Sequence, residues 1–275
     1  MLALKKANIT ACFNMPAGYT HYQFSEDIIP LIKDHRIQDI ILNNKTLFQI
    51  GTHGPDIFFY HHFYNFKDTV NSLGRQMHKD KARDFFEQAM SIVDNEEQIA
   101  YILGFLCHYI LDSQMHHQVK TIMHETQLSH FEIESEYDRY ILKHKQIDPV
   151  HSFIYDHIQY NDHIVETIQS FFPQLSCLQI KDSLHSLKAV DRLLRAPSYL
   201  KRGLLYGLFL LSFHFHQLQG LIINYHHNVK MEDYYDTLNS IYHNALQEAS
   251  IYIPVYLDHV QNQTSLPDRF DRNYK

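Results

Sequence analysis

Residues 95–134 read NEEQIAYILGFLCHYILDSQMHHQVKTIMHETQLSHFEIE. The first part of this run contains no proline and is apolar nearly all round in its middle, which predicts a long helix buried at the centre of a domain. Into it the sequence sets His108, Asp112 and His116 at four-residue steps, and His130 and Glu134 repeat the step a short way on. Residues four apart share one face of an α-helix, so each set aims its polar atoms in one direction. Burying imidazoles and carboxylates in apolar surroundings is costly unless a cation compensates. Neutral imidazole and carboxylate are also the ligands a borderline cation such as zinc prefers. The stretch therefore predicts two neighbouring helices with a metal site between them.

The spacing says how many ions to expect. At about 1.5 Å rise per residue, His108 and Asp112 lie roughly 6 Å apart along the axis and can share an ion. His108 and His116 lie roughly 12 Å apart, too far for one ion. Asp112 is then central and able to bridge, while His130 and Glu134 can join His116 on a second ion. His117 points about 100° away from His116 and is left out. His214 and His216 have no acid at ligand spacing and are also left out.

The rest of the chain agrees with a helical frame. Hydrophobic residues make up 45% of the 275, enough for a sizeable core, and 8 Gly with 8 Pro leave little room for a turn-rich β architecture. No period-two pattern persists, so the expected class is all-α, a single multi-helix domain over residues 15–260. Residues 1–14 and 261–275 read as polar tails, and Met15 is a candidate start. Helices are expected at 25–36 with Ser25 as N-cap, 37–48, 78–93, 96 to about 123, and 131–143 with Ser129 as N-cap. Further helices are expected at about 157–170, 180–195, 199–226 and 232–259. Between 48 and 65 a loop punctuated by Gly51, Gly54 and Pro55 carries Asp56, His53 and the aromatic run Phe58, Phe59, Tyr60, Phe63 and Tyr64. Such loops often carry functional side chains; the aromatics read either as pocket lining or as ordinary packing.

Charge and cysteine content narrow the class. With 24 basic against 31 acidic residues the net charge is −7, which argues against a stable nucleic-acid partner. Cys12, Cys107 and Cys177 are odd in number and widely spaced, so no disulfide framework is expected. The N-terminus lacks the continuous apolar run of a signal peptide, and the most apolar later stretch, 203–215, is too short to span a bilayer. A cytoplasmic protein with no transmembrane segment is the expectation.

An ordered set of segments resembles the zinc-dependent phospholipase C family of bacterial proteins: AGYTHYQF at 17–24, FQIGTHGPDIFFY at 48–60, LGRQMHKDKARDFF at 73–86, GFLCHYILDSQMHH at 104–117 and SHFEIESEYDRY at 129–140. The resemblance covers roughly residues 15–145 and implies an all-helical fold of the type shared with three-zinc nucleases. It implies that Asp56, His78, His108 and Asp112 hold one zinc, and that His116, His130 and Glu134 hold a second. His21 and the bridging Asp112 would contribute to a third, where secreted members also use an N-terminal Trp; this chain has no Trp. His61 and His62 lie nearer Asp56 in sequence, but the resemblance favours His78, and the adjacent pair reads as a solvated loop. His53 reads as a loop residue.

The implied activity is hydrolysis of a phosphodiester, with a small phosphodiester or a phospholipid as substrate. A water held by zinc becomes a nucleophile near neutral pH, and Asp56 is the acid expected to act as general base or water orienter. Two rival readings stand beside it: a nuclease or nucleotide phosphodiesterase on the same fold, and a helical protein that keeps structural zinc without turnover.

Overall fold

The computed structural model describes residues 18–62, 65 and 68–274. Its axis is the long helix α6, Glu96–Thr126, and every residue from Ala100 to Asp112 is buried. Asn95 starts it by accepting a hydrogen bond from the Gln98 amide, which satisfies one of the amides a helix start leaves open. Among the described residues there is no β-strand, and the all-α expectation holds.

Three helices on α6 position the site. α3, Lys45–Gly51, crosses α6 at close range because two glycines face each other's backbone. A Cβ on Gly104 would lie 2.1 Å from the Phe48 carbonyl oxygen, and one on Gly51 2.2 Å from that of Tyr101. α12, Tyr235–Asn262, runs along another side of α6. α7, His130–His144, opens with a capping box: the Ser129 hydroxyl caps the Glu132 amide, and the Glu132 carboxylate returns to the Ser129 amide. Such a cap contributes about 1 kcal/mol and fixes where the helix begins.

α1, Gly18–Ile28, is tied to α7 by a contact from far along the chain. The Asp138 carboxylate accepts from the backbone amides of Tyr19 and Thr20 at 3.1 and 2.7 Å and from the Thr20 hydroxyl at 2.6 Å. This corrects the expected start of the first helix at Ser25. Ser25 is instead buried inside α1, where its hydroxyl donates to the Tyr22 carbonyl. The helix ends near Pro30, and α2, His35–Asn43, begins anew with Asp34 as its cap.

Other boundaries move for local reasons. The expected 78–93 helix shortens to α5, Ala82–Met90, and a helix the sequence reading lacked, α4, Thr69–Met77, precedes it and is closed by His78. α8 is Asp162–Ser170, and α9 is Cys177–Leu194, started by the Ser176 capping box. The expected 199–226 helix is α10, Tyr199–Leu211, then a break at Phe213, whose φ is +60°, and a single turn α11, Phe215–Leu218. Residues 261–274 do not form a tail. Arg269, Phe270 and Tyr274 are buried, and Arg83 holds the segment by pairing with Asp271 and donating to the carbonyls of Leu266 and Pro267. Residues 1–14 and Met15 lie outside the described residues. Cys107 and Cys177 are free thiols, and no described helix is long and apolar enough to cross a membrane.

Candidate metal centre

Five segments deliver side chains to one buried place. α6 supplies His108, Asp112 and His116; α7 supplies His130 and Glu134; α1 supplies His21; the end of α4 supplies His78. Asp56 comes from a 3-10 turn, Gly54–Tyr60, that seats it under α6. Gly54 is needed there twice over: its φ is +50°, and a Cβ would sit 2.2 Å from the Cδ2 of His108.

Asp112 is the centre of the arrangement. Its Oδ1 lies 3.2 Å from His21 Nε2, and its Oδ2 lies 3.4 Å from His108 Nε2, 3.6 Å from His78 Nε2 and 3.6 Å from His116 Nδ1. Asp56 approaches His78 Nε2 at 2.9 Å and His108 Nδ1 at 3.6 Å. Asp56, His78, His108 and Asp112 each offer a ligand atom within 4.8 Å of the others, and His116, His130 and Glu134 form a second such group. These are the two sets expected for the first and second ions, with Asp112 contacting both and His21 at its other oxygen.

Backbone carbonyls orient two of the imidazoles. The Nδ1 of His78 donates to Gly74 O at 2.8 Å, and that of His116 donates to Asp112 O at 3.0 Å. Each bond places a proton on Nδ1 and turns Nε2 toward the cluster, the orientation a metal-ligating histidine needs. Phe59 and Tyr274 flank the His78 ring, at centroid distances of 5.1 and 5.3 Å. Tyr274 also packs on His108, and its hydroxyl finds no partner among the described residues.

The electrostatics are those of a polar cluster enclosed by protein. Burial pushes the Asp56 carboxyl up to about 6 despite His78 beside it. Burial likewise raises Glu134 well above the usual carboxylate range and holds the His108 imidazole well below its usual value. Burial also opposes ionisation of Asp112, but His108, His116 and the bonds from His21 and His78 prevail and hold it well below the usual range. Several atoms of these side chains have no hydrogen-bond partner among the described residues, including both ring nitrogens of His108, His21 Nδ1, Asp56 Oδ2, Asp112 Oδ2 and Glu134 Oε2. Buried polar atoms are seldom left so. A nitrogen-and-oxygen donor set with orphaned, converging atoms fits zinc.

Two histidines and a tyrosine sit differently from their sequence reading. His53 is buried, not a surface loop residue; its Nε2 meets His157 Nε2 at 2.9 Å, and its ring neighbours that of His21. His61 is buried and bonded to Asp68, while His62 on the same carboxylate is half exposed, so only part of that pair faces solvent. Neither belongs to the group of Asp56. Tyr274 stood in a stretch read as tail and carried no sequence signal. Phe58, Phe59 and Tyr60 are core residues, and Phe63 and Tyr64 lie outside the described residues. His117, left out of the site, is exposed.

The centre is least enclosed on the α7 side, where the side chains of His130 and Glu134 are 18% and 13% exposed. A cleft there is lined by Tyr60, Glu134, Asp138, Tyr155, Asp191 and Leu221, with other residues of α7 and α9.

A family model for zinc-dependent phospholipase C matches residues 20–185, a span that contains all eight of these side chains. No curated protein and no solved structure matches the chain. The family match covers well over half of the sequence, and the chain belongs to the zinc-dependent phospholipase C family.

Proposed function

We propose that the protein hydrolyses phosphodiesters, with a phospholipid as substrate, at a centre holding two or three zinc ions. Asp56, His78, His108 and Asp112 hold the first ion, His116, His130 and Glu134 the second, and His21 with Asp112 contributes to a third. The observation that carries this reading is the convergence of eight side chains of ligand type from five segments, with carboxylate and imidazole atoms that the protein itself leaves unsatisfied. A structural zinc site is closed by four ligands; here one side opens into a cleft.

Bound zinc would lower the pKa of a water and offset the negative charge that grows on the phosphate oxygens. The chain supplies the remainder. Asp56, seated under α6 by the Gly54 turn, would orient that water or take its proton. Water oxygen bonds to phosphorus as the bond to the leaving oxygen breaks, and that leaving group takes up a proton. Glu134 and Asp138 line the cleft through which a substrate would reach the centre. The Tyr60–Tyr155 pair, hydroxyl to hydroxyl at 3.0 Å, forms a rigid wall beside them.

The test is metal analysis followed by a substrate panel. Purified protein should carry at least two zinc ions per chain. It should release product from phosphatidylcholine and from bis-p-nitrophenyl phosphate, with both activities abolished by chelator. Turnover of single-stranded DNA with none of phosphatidylcholine would replace the lipid reading with the nuclease one. Full zinc with no turnover anywhere on the panel would favour a structural site.

A further inference from the structure

α10 breaks the ordinary partition of side chains. Leu200, Leu204, Leu208 and Leu211 recur along one face of Tyr199–Leu211, and Tyr199 and Phe213 flank them at the two ends. These six are from 61% (Leu208) to 93% (Phe213) exposed. Gly203 and Gly207 lie among them, and a Cβ added at either would meet nothing within 4 Å. Among the described residues, nothing covers this face. It is also held firmly: Leu205 packs on Ala196 and Ile222 in a small core of its own. The buried Arg202 donates to the carbonyls of Ala196 and Ile223 and stacks on Tyr225.

The charge of this region differs from that of the rest of the chain. From Arg192 to Met231 there is no Asp or Glu, although the sequence carries 31 elsewhere. Arg192, Arg195, Lys201, Arg202 and Lys230 fall within the span. A rigid apolar ridge with aromatic residues at its ends, on a segment whose own charged side chains are all basic, matches an anionic membrane surface: apolar side chains enter the acyl boundary, and the exposed cations Arg192 and Lys230 meet the head groups. At 13 residues the helix is too short to cross a bilayer, which leaves it lying in the interface plane.

Its placement relative to the centre is the second observation. The segments at either end of the α10 excursion, Leu194 before it and Leu221 and Ile223 after it, line the same cleft as Glu134 and Asp138. Gln219 bonds to Glu132 on the helix that carries His130 and Glu134. We propose that α10 is a membrane-docking helix that seats the protein on an anionic phospholipid surface with the cleft facing the lipid head groups. The purpose of this docking rests on the phospholipid reading of the centre, but its test does not.

The experiment sediments the full zinc-loaded chain with vesicles of phosphatidylcholine alone or mixed with phosphatidylglycerol. It compares wild type with a Leu204→Gln, Leu208→Gln, Leu211→Gln variant. All three positions are exposed, and thermal unfolding followed by circular dichroism confirms that the variant is folded. Wild type should pellet with the mixed vesicles, more weakly at high salt. The variant should bind about tenfold less or weaker while hydrolysing bis-p-nitrophenyl phosphate at the wild-type rate. Failure of wild type to bind, or equal binding by the variant, overturns the proposal. So does a wild-type dimer in size-exclusion chromatography that the substitutions convert to monomer without any vesicle binding, since the face would then join two copies of the chain. Vesicle binding lost in the variant, with no turnover on any substrate, leaves docking standing and overturns the hydrolase reading instead.

Discussion

α6 and α10 invert the usual rule in opposite directions. α6 takes His108, Asp112 and His116 into the most enclosed part of the molecule, and α10 holds a row of leucines out in solvent. Folding alone rewards neither placement: orphaned polar atoms in the interior cost free energy, and an exposed apolar row forgoes the gain from burial. On the readings proposed above, a cation meets the orphaned atoms of α6 and a lipid surface takes in the apolar side chains of α10.

The comparison breaks most decisively at Asp112. Asp112→Asn removes the one carboxylate that reaches His21, His78, His108 and His116. Hydrolysis should fall on the order of a thousandfold or more, and zinc content measured by mass spectrometry should drop by at least one ion per chain. Unchanged zinc would mean that α6 buries its polar face for some reason other than metal.

Stability gives the next largest effect. Chelation should lower the unfolding free energy on the order of 4 kcal/mol where free zinc had exceeded its dissociation constant about a thousandfold. Leu106→Ala, at a fully buried position on α6, should cost about 3 kcal/mol by denaturant titration in the presence or absence of metal. If chelation costs nothing, the centre is stable without a cation.

The two inversions were unequally legible in sequence. The ligand steps of α6 and α7 could be read because both helices are continuous and Ser129 caps the second, so local spacing translates directly into shared faces. The start of α1 could not be read, because its first amides are satisfied by Asp138, more than a hundred residues away, and not by a nearby Ser. Tyr274 was hidden for the same reason: Arg83 draws a polar C-terminal stretch back onto the centre. The apolar run at 203–215 was visible, but sequence offered no means of telling a buried face from an exposed one. That distinction depends on which neighbours arrive, and α12 packs along α6, leaving the outer face of α10 open.

The enclosed region should also show itself in pH dependence. Burial lowers the His157 imidazole, bonded to His53, to about 3. The unfolded chain binds this proton below about 6.5 and the folded one only below about 3. The stability held by a neutral His157 is thus complete above 6.5 and is lost as pH falls through that window. At pH 5 the loss amounts to about 2 kcal/mol. His157→Phe keeps a ring against Tyr22 but cannot titrate, so its unfolding free energy should fall less steeply between pH 7 and 5 than that of wild type. The slope is the readout, because the lost bond to His53 shifts both ends alike. Equal slopes would mean that water reaches this pair and that the buried region is smaller than the structure indicates.

The smallest expected effect sharpens the comparison most. Leu208→Gln replaces an apolar side chain with a polar one of similar size at a helical position that is 61% exposed. In a core such a change would lose the transfer free energy of the leucine and bury an unsatisfied amide. On α10 the leucine has little burial to lose, and glutamine is about as good a helix former. The unfolding free energy should therefore stay within about 0.5 kcal/mol of wild type, in contrast to the cost of the leucine change on α6. A loss well beyond that would show that the α10 face is covered in the folded protein in solution, by a second copy or by chain packed over it. The reason to look for a membrane there would then disappear, whereas the argument for a cation at α6 would be untouched, since it rests on side chains that α10 does not contain.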